Sequence, residues 1–185
     1  MKKESTVKFF LRLTITLLLI TAVVAALLAL VNDITEPRIR EQAEEKTQQA
    51  IEAVLPGGGE KLAEGEFTNV DGIIANVYKG ENGYAVEVAP GGFDGAITMM
   101  VGIDNEGKIL GISVISQTET AGLGAICAAT NAKGVAFRDQ YIGLSGSVAV
   151  DKDGGEINAI SGATITSRAV CTGVNAALDC VKAMG

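Results

Sequence analysis

Seven consecutive residues, Ser161-Gly162-Ala163-Thr164-Ile165-Thr166-Ser167, gather four hydroxyls beside one glycine and one alanine. Val170, Val174, Leu178 and Val181 follow at spacings of four, four and three, which predicts an amphipathic helix. Hydroxyls just ahead of such a stripe can accept hydrogen bonds from the free N–H groups of the first turn. The same turn, with unpaired donors and the positive end of the helix dipole, can instead seat a phosphate. A second segment, Glu119-Thr120-Ala121-Gly122-Leu123-Gly124, follows directly on a predicted strand. Its glycines permit positive φ and close approach of a ligand to the backbone. Taken singly, each has an ordinary use, surplus capping for the first and loop chemistry for the second.

Other chemistries are narrowed by what the chain lacks. It has no histidine, which removes His-based triads, His general bases and His metal sites. A serine hydrolase would need a Ser–Lys arrangement, and Gly143-Leu144-Ser145-Gly146-Ser147 fails the nucleophile elbow at its last position. Asp151, Asp153 and Glu156 lack the spacing of a calcium loop and read as part of a hairpin turn. Gly122-Leu123-Gly124 opens like a dinucleotide fingerprint, but Cys127 stands at the last glycine position and no βαβ unit surrounds it. Cys127, Cys171 and Cys180 make neither a disulfide framework nor a metal cluster and read as small buried residues. Cys171 and Cys180, nine apart on one predicted helix, should lie on opposite faces.

The elements that must position these residues follow from periodicity and charge. Leu13 to Val31 carries no charged residue and would span about 28 Å as a helix, close to a hydrocarbon core. The run is longer than the core of a cleaved signal peptide and lacks a small-x-small site before Asn32, so it reads as a retained anchor. Thr14, Thr16 and Thr21 within it can bond back to the helix. Ahead of it Lys2, Lys3, Lys8 and Arg12 stand against Glu4, and the acidic excess lies beyond. That asymmetry predicts a cytoplasmic N-terminus and an extracytoplasmic remainder at the plasma (inner) membrane. The chain has 15 Lys and Arg against 22 Asp and Glu, a net charge of −7, which argues against a nucleic-acid partner. Thr35 is placed to cap a separate stalk helix with Pro37 in its first turn, ending at Pro56-Gly57-Gly58-Gly59, its apolar side formed by Ala43, Ala50, Ile51, Val54 and Leu55. Strands are predicted at 73–79, 84–89, 96–103 and 108–116, with hairpin turns at 81–83 and 104–107, and shorter ones at 147–150 and 157–160. Short helices are expected within 122–133 and at 135–141. The fold class is therefore α+β, a single N-terminal transmembrane helix followed by one domain of mostly antiparallel strands with flanking helices. The division is residues 1–12 as the cytoplasmic N-terminus, 13–31 as the span, 32–60 as the stalk and 61–185 as the domain.

The two loop segments together, in this order on this framework, resemble the FMN-binding domain of the Rnf and sodium-pumping NADH:quinone oxidoreductase complexes, and most of all the Rnf G subunits. Gly91-Gly92-Phe93-Asp94-Gly95 also resembles a glycine-rich turn of that family. The resemblance implies a membrane-anchored flavoprotein subunit of an ion-translocating ferredoxin:NAD oxidoreductase. It further implies FMN held by a phosphoester to the last threonine of the S/T-G-A-T motif, here Thr164, and installed by a separate flavin transferase. Glu119, Thr120, Gly122, Leu123, Gly124, Ser161, Gly162, Ala163, Thr166 and Ser167 are the implied cofactor-binding residues. The implied partners are the other membrane and redox subunits of the complex. Where the family often carries Asp, His and Pro, this chain has Asn158, Gln117 and Ala121. The chain shows no substrate site of its own, so the activity is expected to belong to the complex. A membrane-anchored binding or scaffold module without flavin is the alternative from the residues alone, with a Ser–Lys hydrolase behind it.

Overall fold

The computed structural model describes residues 6–63, 65–69 and 71–184. The basic head formed by Lys2 and Lys3 lies outside them. The chain divides into two compact units, Met1–Glu45 and Lys46–Gly185. In the first, helix α1 (Thr6–Val54) begins; it continues without interruption into the second. Its apolar part is long and apolar enough to cross a membrane, with a mean hydropathy of 2.8. Thr14, Thr16 and Thr21 donate to the carbonyls of Phe10, Arg12 and Leu17 at 3.0, 2.8 and 3.0 Å, so no hydroxyl in the apolar run is left without an acceptor. The expected break at Thr35 does not occur. Pro37 lies inside the helix, where it removes the single bond its N–H would have made. The helix runs on through Val54, so the residues expected to form a stalk helix continue the same helix.

In the second unit, strands β1 (Glu60–Lys61), β2 (Ile74–Lys79), β3 (Gly83–Val88), β4 (Thr98–Asp104) and β5 (Ile109–Ser116) form one antiparallel meander in chain order. The β4–β5 turn is fastened by Asp104, whose carboxylate accepts from the N–H groups of Glu106 (2.9 Å) and Lys108 (2.8 Å). Alternation sorts the side chains: Val86, Val88, Met99, Val101 and Ile103 enter one core, while Ala85 and Met100 enter another. The second core is closed by Ala50, Ile51, Val54 and Leu55 of the α1 terminus. Gly102 allows that approach, because a Cβ there would collide with the Val54 carbonyl oxygen.

The first core is closed by helix α3 (Thr164–Met184), which buries Val170, Val174, Leu178 and Val181 as its spacing predicts. Both Cys171 and Cys180 are buried too, since α3 is enclosed on more than one side. Between β5 and α3 lie a 3-10 turn at Gly124–Ala128, helix α2 (Ala132–Asp139) and a second 3-10 turn at Asp151–Asp153. The strands expected at 147–150 and 157–160 reduce to a single bridge, Val150 to Ile157, and that bridge is parallel. Residues 151–155 are therefore not a hairpin turn. Val148, Val150, Ile157 and Ile160 are nevertheless buried, so their apolar pattern records burial and not strand pairing.

Candidate functional site

Glu119 reaches the site three residues past the end of β5, and its carboxylate is buried. One oxygen, Oε1, accepts from the N–H groups of Phe93 at 2.8 Å and Asp94 at 3.0 Å. The other, Oε2, accepts from the hydroxyl of Thr166 in the first turn of α3. Burial pushes this carboxyl up, but the bonds from Thr166, Asp94 and Phe93 together outweigh it and hold Glu119 below its ordinary range. The glycine-rich turn at 91–95 is thereby stitched to the mouth of α3. Thr118 adds a bond to the Asp94 carbonyl at 3.0 Å, and the Gln117 side chain accepts from the Glu119 N–H at 2.6 Å. Gly124 is needed because a Cβ there would fall 2.5 Å from Glu119 Oε2 and 2.6 Å from Thr166 Oγ1.

The hydroxyls of the second segment divide by role. Thr166 serves Glu119, and Ser167, fully buried, donates to the Ala163 carbonyl (3.0 Å) and accepts from the Ile160 N–H (2.9 Å). Neither hydroxyl accepts from a first-turn N–H. Among the described residues, the N–H groups of Thr164, Ile165 and Thr166 have no acceptor in the protein; the ladder of α3 begins with Ser167 donating to Ala163. Gly162, at φ +77°, turns the chain into the helix close against Leu123. Ser161 is exposed, while Thr164 is half-buried with Oγ1 accepting from Lys152 Nζ at 2.8 Å. Arg168, which could have offered its charge here, is committed to Asp153 through bonds of 2.7 and 2.6 Å.

These groups line a cleft of about 320 Å³ bounded by Phe93, Glu119, Thr120, Leu123, Gly124 and residues 162–166. Of the residues expected from the sequence, Gly122, Ser161 and Ser167 do not line it: Gly122 forms the adjoining turn at φ +77°. Its rim is apolar and exposed, with Phe93 at 66%, Ile165 at 51% and Leu123 at 44%. Sequence reasoning missed Lys152, which carried no signal beyond its place in a turn, and Phe93 as a wall. Asn158 bonds Gln140 on the outer side of the segment, through its N–H at 2.8 Å and its side-chain amide at 2.9 Å. Cys127 is no thiolate nucleophile, since burial first and the Glu119 charge second push it up to about 11. A larger depression, about 840 Å³ near Tyr84, Asn175 and Asp179, contains neither loop segment.

The cleft fits a phosphorylated flat ring. It offers unpaired N–H donors for a phosphate, a hydroxyl at the same point, and apolar walls beyond. Its volume lies at the low end of small-molecule sites, which run from about 300 to 1,000 Å³. Comparison with known proteins agrees. Residues 92–179, which contain every lining residue of the cleft, match the FMN-binding domain, and residues 1–54 match the RnfG N-terminal region. The chain is 32% identical over 182 residues to the G subunit of the ion-translocating oxidoreductase complex of Methanosarcina acetivorans, covering 93% of this chain and 94% of that one. It is 34% identical over 195 residues to the G subunit of the Na(+)-translocating ferredoxin:NAD(+) oxidoreductase complex of Acetobacterium woodii, covering 93% and 91%. With the G subunit of the ion-translocating oxidoreductase complex of Photorhabdus laumondii it shares 33% over 176 residues, covering 86% and 84%.

Proposed function

This chain belongs to the family of G subunits of ion-translocating oxidoreductase complexes, and on that premise we propose that it carries FMN as a phosphoester on Thr164 Oγ1 and relays electrons within a ferredoxin:NAD oxidoreductase complex. The observation that carries the attachment is the position of that hydroxyl. It is half-buried at the mouth of α3, beside three N–H groups without protein acceptors. An alcohol and a phosphate monoester do not condense spontaneously in water, so the donor must be an activated flavin such as FAD. Thr164 Oγ1 then forms the new O–P bond, the pyrophosphate P–O bond breaks, AMP leaves, and the hydroxyl proton passes to a base of a flavin transferase. FMN, once bound, supplies the one- and two-electron chemistry.

The protein supplies position. Glu119 fixes the turn bearing Phe93 against α3, and the N–H groups of Thr164 to Thr166 offer donors to a phosphate, favoured by the helix dipole by about 0.3–1 kcal/mol. Phe93, Leu123 and Ile165 give the ring an apolar seat that leaves an edge toward neighbouring subunits. The α1 anchor, with its basic residues ahead of the apolar run, orients the second unit to the extracytoplasmic side.

Mass spectrometry of the peptide from Ser161 to Arg168, isolated after co-expression with a flavin transferase, tests the attachment. An FMN adduct is expected in the wild type, absent in Thr164→Ala and partly retained in Thr164→Ser, which keeps the nucleophilic oxygen. An adduct that survives Thr164→Ala would move the linkage elsewhere, and an unmodified wild-type peptide would leave a scaffold without covalent flavin.

A further inference from the structure

The ammonium of Lys152 stands 2.8 Å from Thr164 Oγ1, although the two lie twelve positions apart in sequence. Its turn, Asp151–Asp153, is clamped on both sides. Asp153 takes two bonds from Arg168, one turn into α3, and Asp151 Oδ1 accepts from the Ala159 N–H at 3.2 Å, just ahead of Ser161. Lys152 is thus held against the first turn of α3 by contacts that do not involve its own side chain. It makes no ion pair among the described residues.

The direction of this bond matters. An ammonium only donates, so Oγ1 must be the acceptor and keeps its own proton free. Interior helical threonines do the reverse: Thr172 donates to the Arg168 carbonyl at 3.0 Å, which occupies its proton. Among the described residues Thr164 makes no such bond to a carbonyl, and its Oγ1 contact is the one with Lys152. A cation facing Oγ1 favours negative charge growing on that oxygen as it attacks phosphorus. After attachment, the same cation lies beside a phosphodiester that carries one negative charge. The other charges close by are acidic or already paired, namely Glu119, Asp151, Asp153 and Arg168.

We infer that Lys152 is the cationic binding residue of the attachment site, orienting the Thr164 hydroxyl before ester formation and neutralising the phosphodiester afterwards. The inference rests on the Thr164 reading.

The test uses the full-length chain in detergent, a flavin transferase and FAD, with the initial rate of adduct formation read by peptide mass spectrometry at low and high salt. Lys152→Met should slow attachment by about two- to fivefold, the range of a solvent-accessible charge contact. Lys152→Arg should recover most of that loss. The wild-type rate should fall with salt and the Lys152→Met rate should respond less, because screening acts on a charge the variant lacks. Both variants should melt with the wild type, since the side chain is exposed. Equal rates and equal salt dependence in the wild type and Lys152→Met would overturn the inference while leaving Thr164 as the attachment point. Equal losses in Lys152→Met and Lys152→Arg would also overturn it, because charge would not be the property that matters. No adduct on the wild-type peptide would overturn the Thr164 reading and the role of Lys152 with it.

Discussion

Replacing Thr166 by valine keeps the shape of the side chain and deletes the hydroxyl that serves Glu119. The carboxylate is only 6% exposed, so bulk water cannot substitute for the lost donor. A hydrogen bond to a charged group contributes about 1.5–3 kcal/mol. At about 3 °C per kcal/mol for a domain of this size, the melting midpoint should fall by roughly 5–9 °C. The pH dependence should change as well. Burial raises the Glu119 carboxyl, and the bonds from Thr166, Asp94 and Phe93 bring it below its ordinary value of 4.5. A carboxyl depressed by folding contributes stability that is present above its unfolded value and is lost as pH falls through the folded value. With one of the three donors gone the depression shrinks, so Glu119 contributes less stability above its unfolded value and less is lost in acid. The midpoint deficit of Thr166→Val should be largest near neutral pH and should narrow as pH falls through the carboxylate range. Far-UV circular dichroism melts of the full-length protein in detergent, from neutral pH down through the carboxylate range, would measure both effects. Glu119→Gln completes a double-mutant cycle. If Thr166→Val costs as much on top of Glu119→Gln as in the wild type, or leaves midpoint and acid limb unchanged, the two residues are not coupled and the reasoning fails.

Three more outcomes are expected. Gly102→Ala should destabilise the second unit by about 1–3 kcal/mol, read by denaturant titration, because its methyl would meet the Val54 carbonyl oxygen and a backbone atom cannot swing aside. Protease added to intact spheroplasts should degrade the second unit, whereas protection, or a mature N-terminus near Asn32, would refute the proposed orientation. Iodide should quench the fluorescence of the attached flavin readily, as expected for a ring seated on the exposed Phe93, Leu123 and Ile165; slow quenching would show an enclosed ring.

Elements that rest on local rules were legible in the sequence. The four long strands lie within a few residues of their predicted positions, and the Val170–Val181 stripe is the buried side of α3. Rules of punctuation proved weaker. Thr35 and Pro37 look like a helix start, yet a helix already running needs no new nucleus and here carries the local cost of an interior proline. The glycine-rich segment at 119–124 was recognisable as a loop for chemistry, but the reason for its last glycine was not. That reason is the Glu119–Thr166 pair, whose members lie 47 residues apart. The hydroxyls at 166 and 167 looked equivalent to that of Thr164 in sequence. Only the packing of α3 separates them, committing the hydroxyls of Thr166 and Ser167 to partners within the domain while that of Thr164 keeps its proton free. Lys152 was invisible for the same reason: its partner is chosen by the docking of a turn and not by spacing.

The sheet needs a helix on each face, and those helices come from opposite ends of the domain. Residues 50–55 leave the ribosome before any strand of the meander, and α3 emerges after all of them. During synthesis the meander can therefore be covered on one side while Val86, Val88, Met99, Val101 and Ile103 still lack their partner. The first turn of α3, with Thr164, is built from the segment that closes this gap. On the attachment proposed above, a transferase that acts on the folded site would find nothing to modify on a nascent or truncated chain. Under that proposal flavin loading would report that the second face of the sheet has been closed.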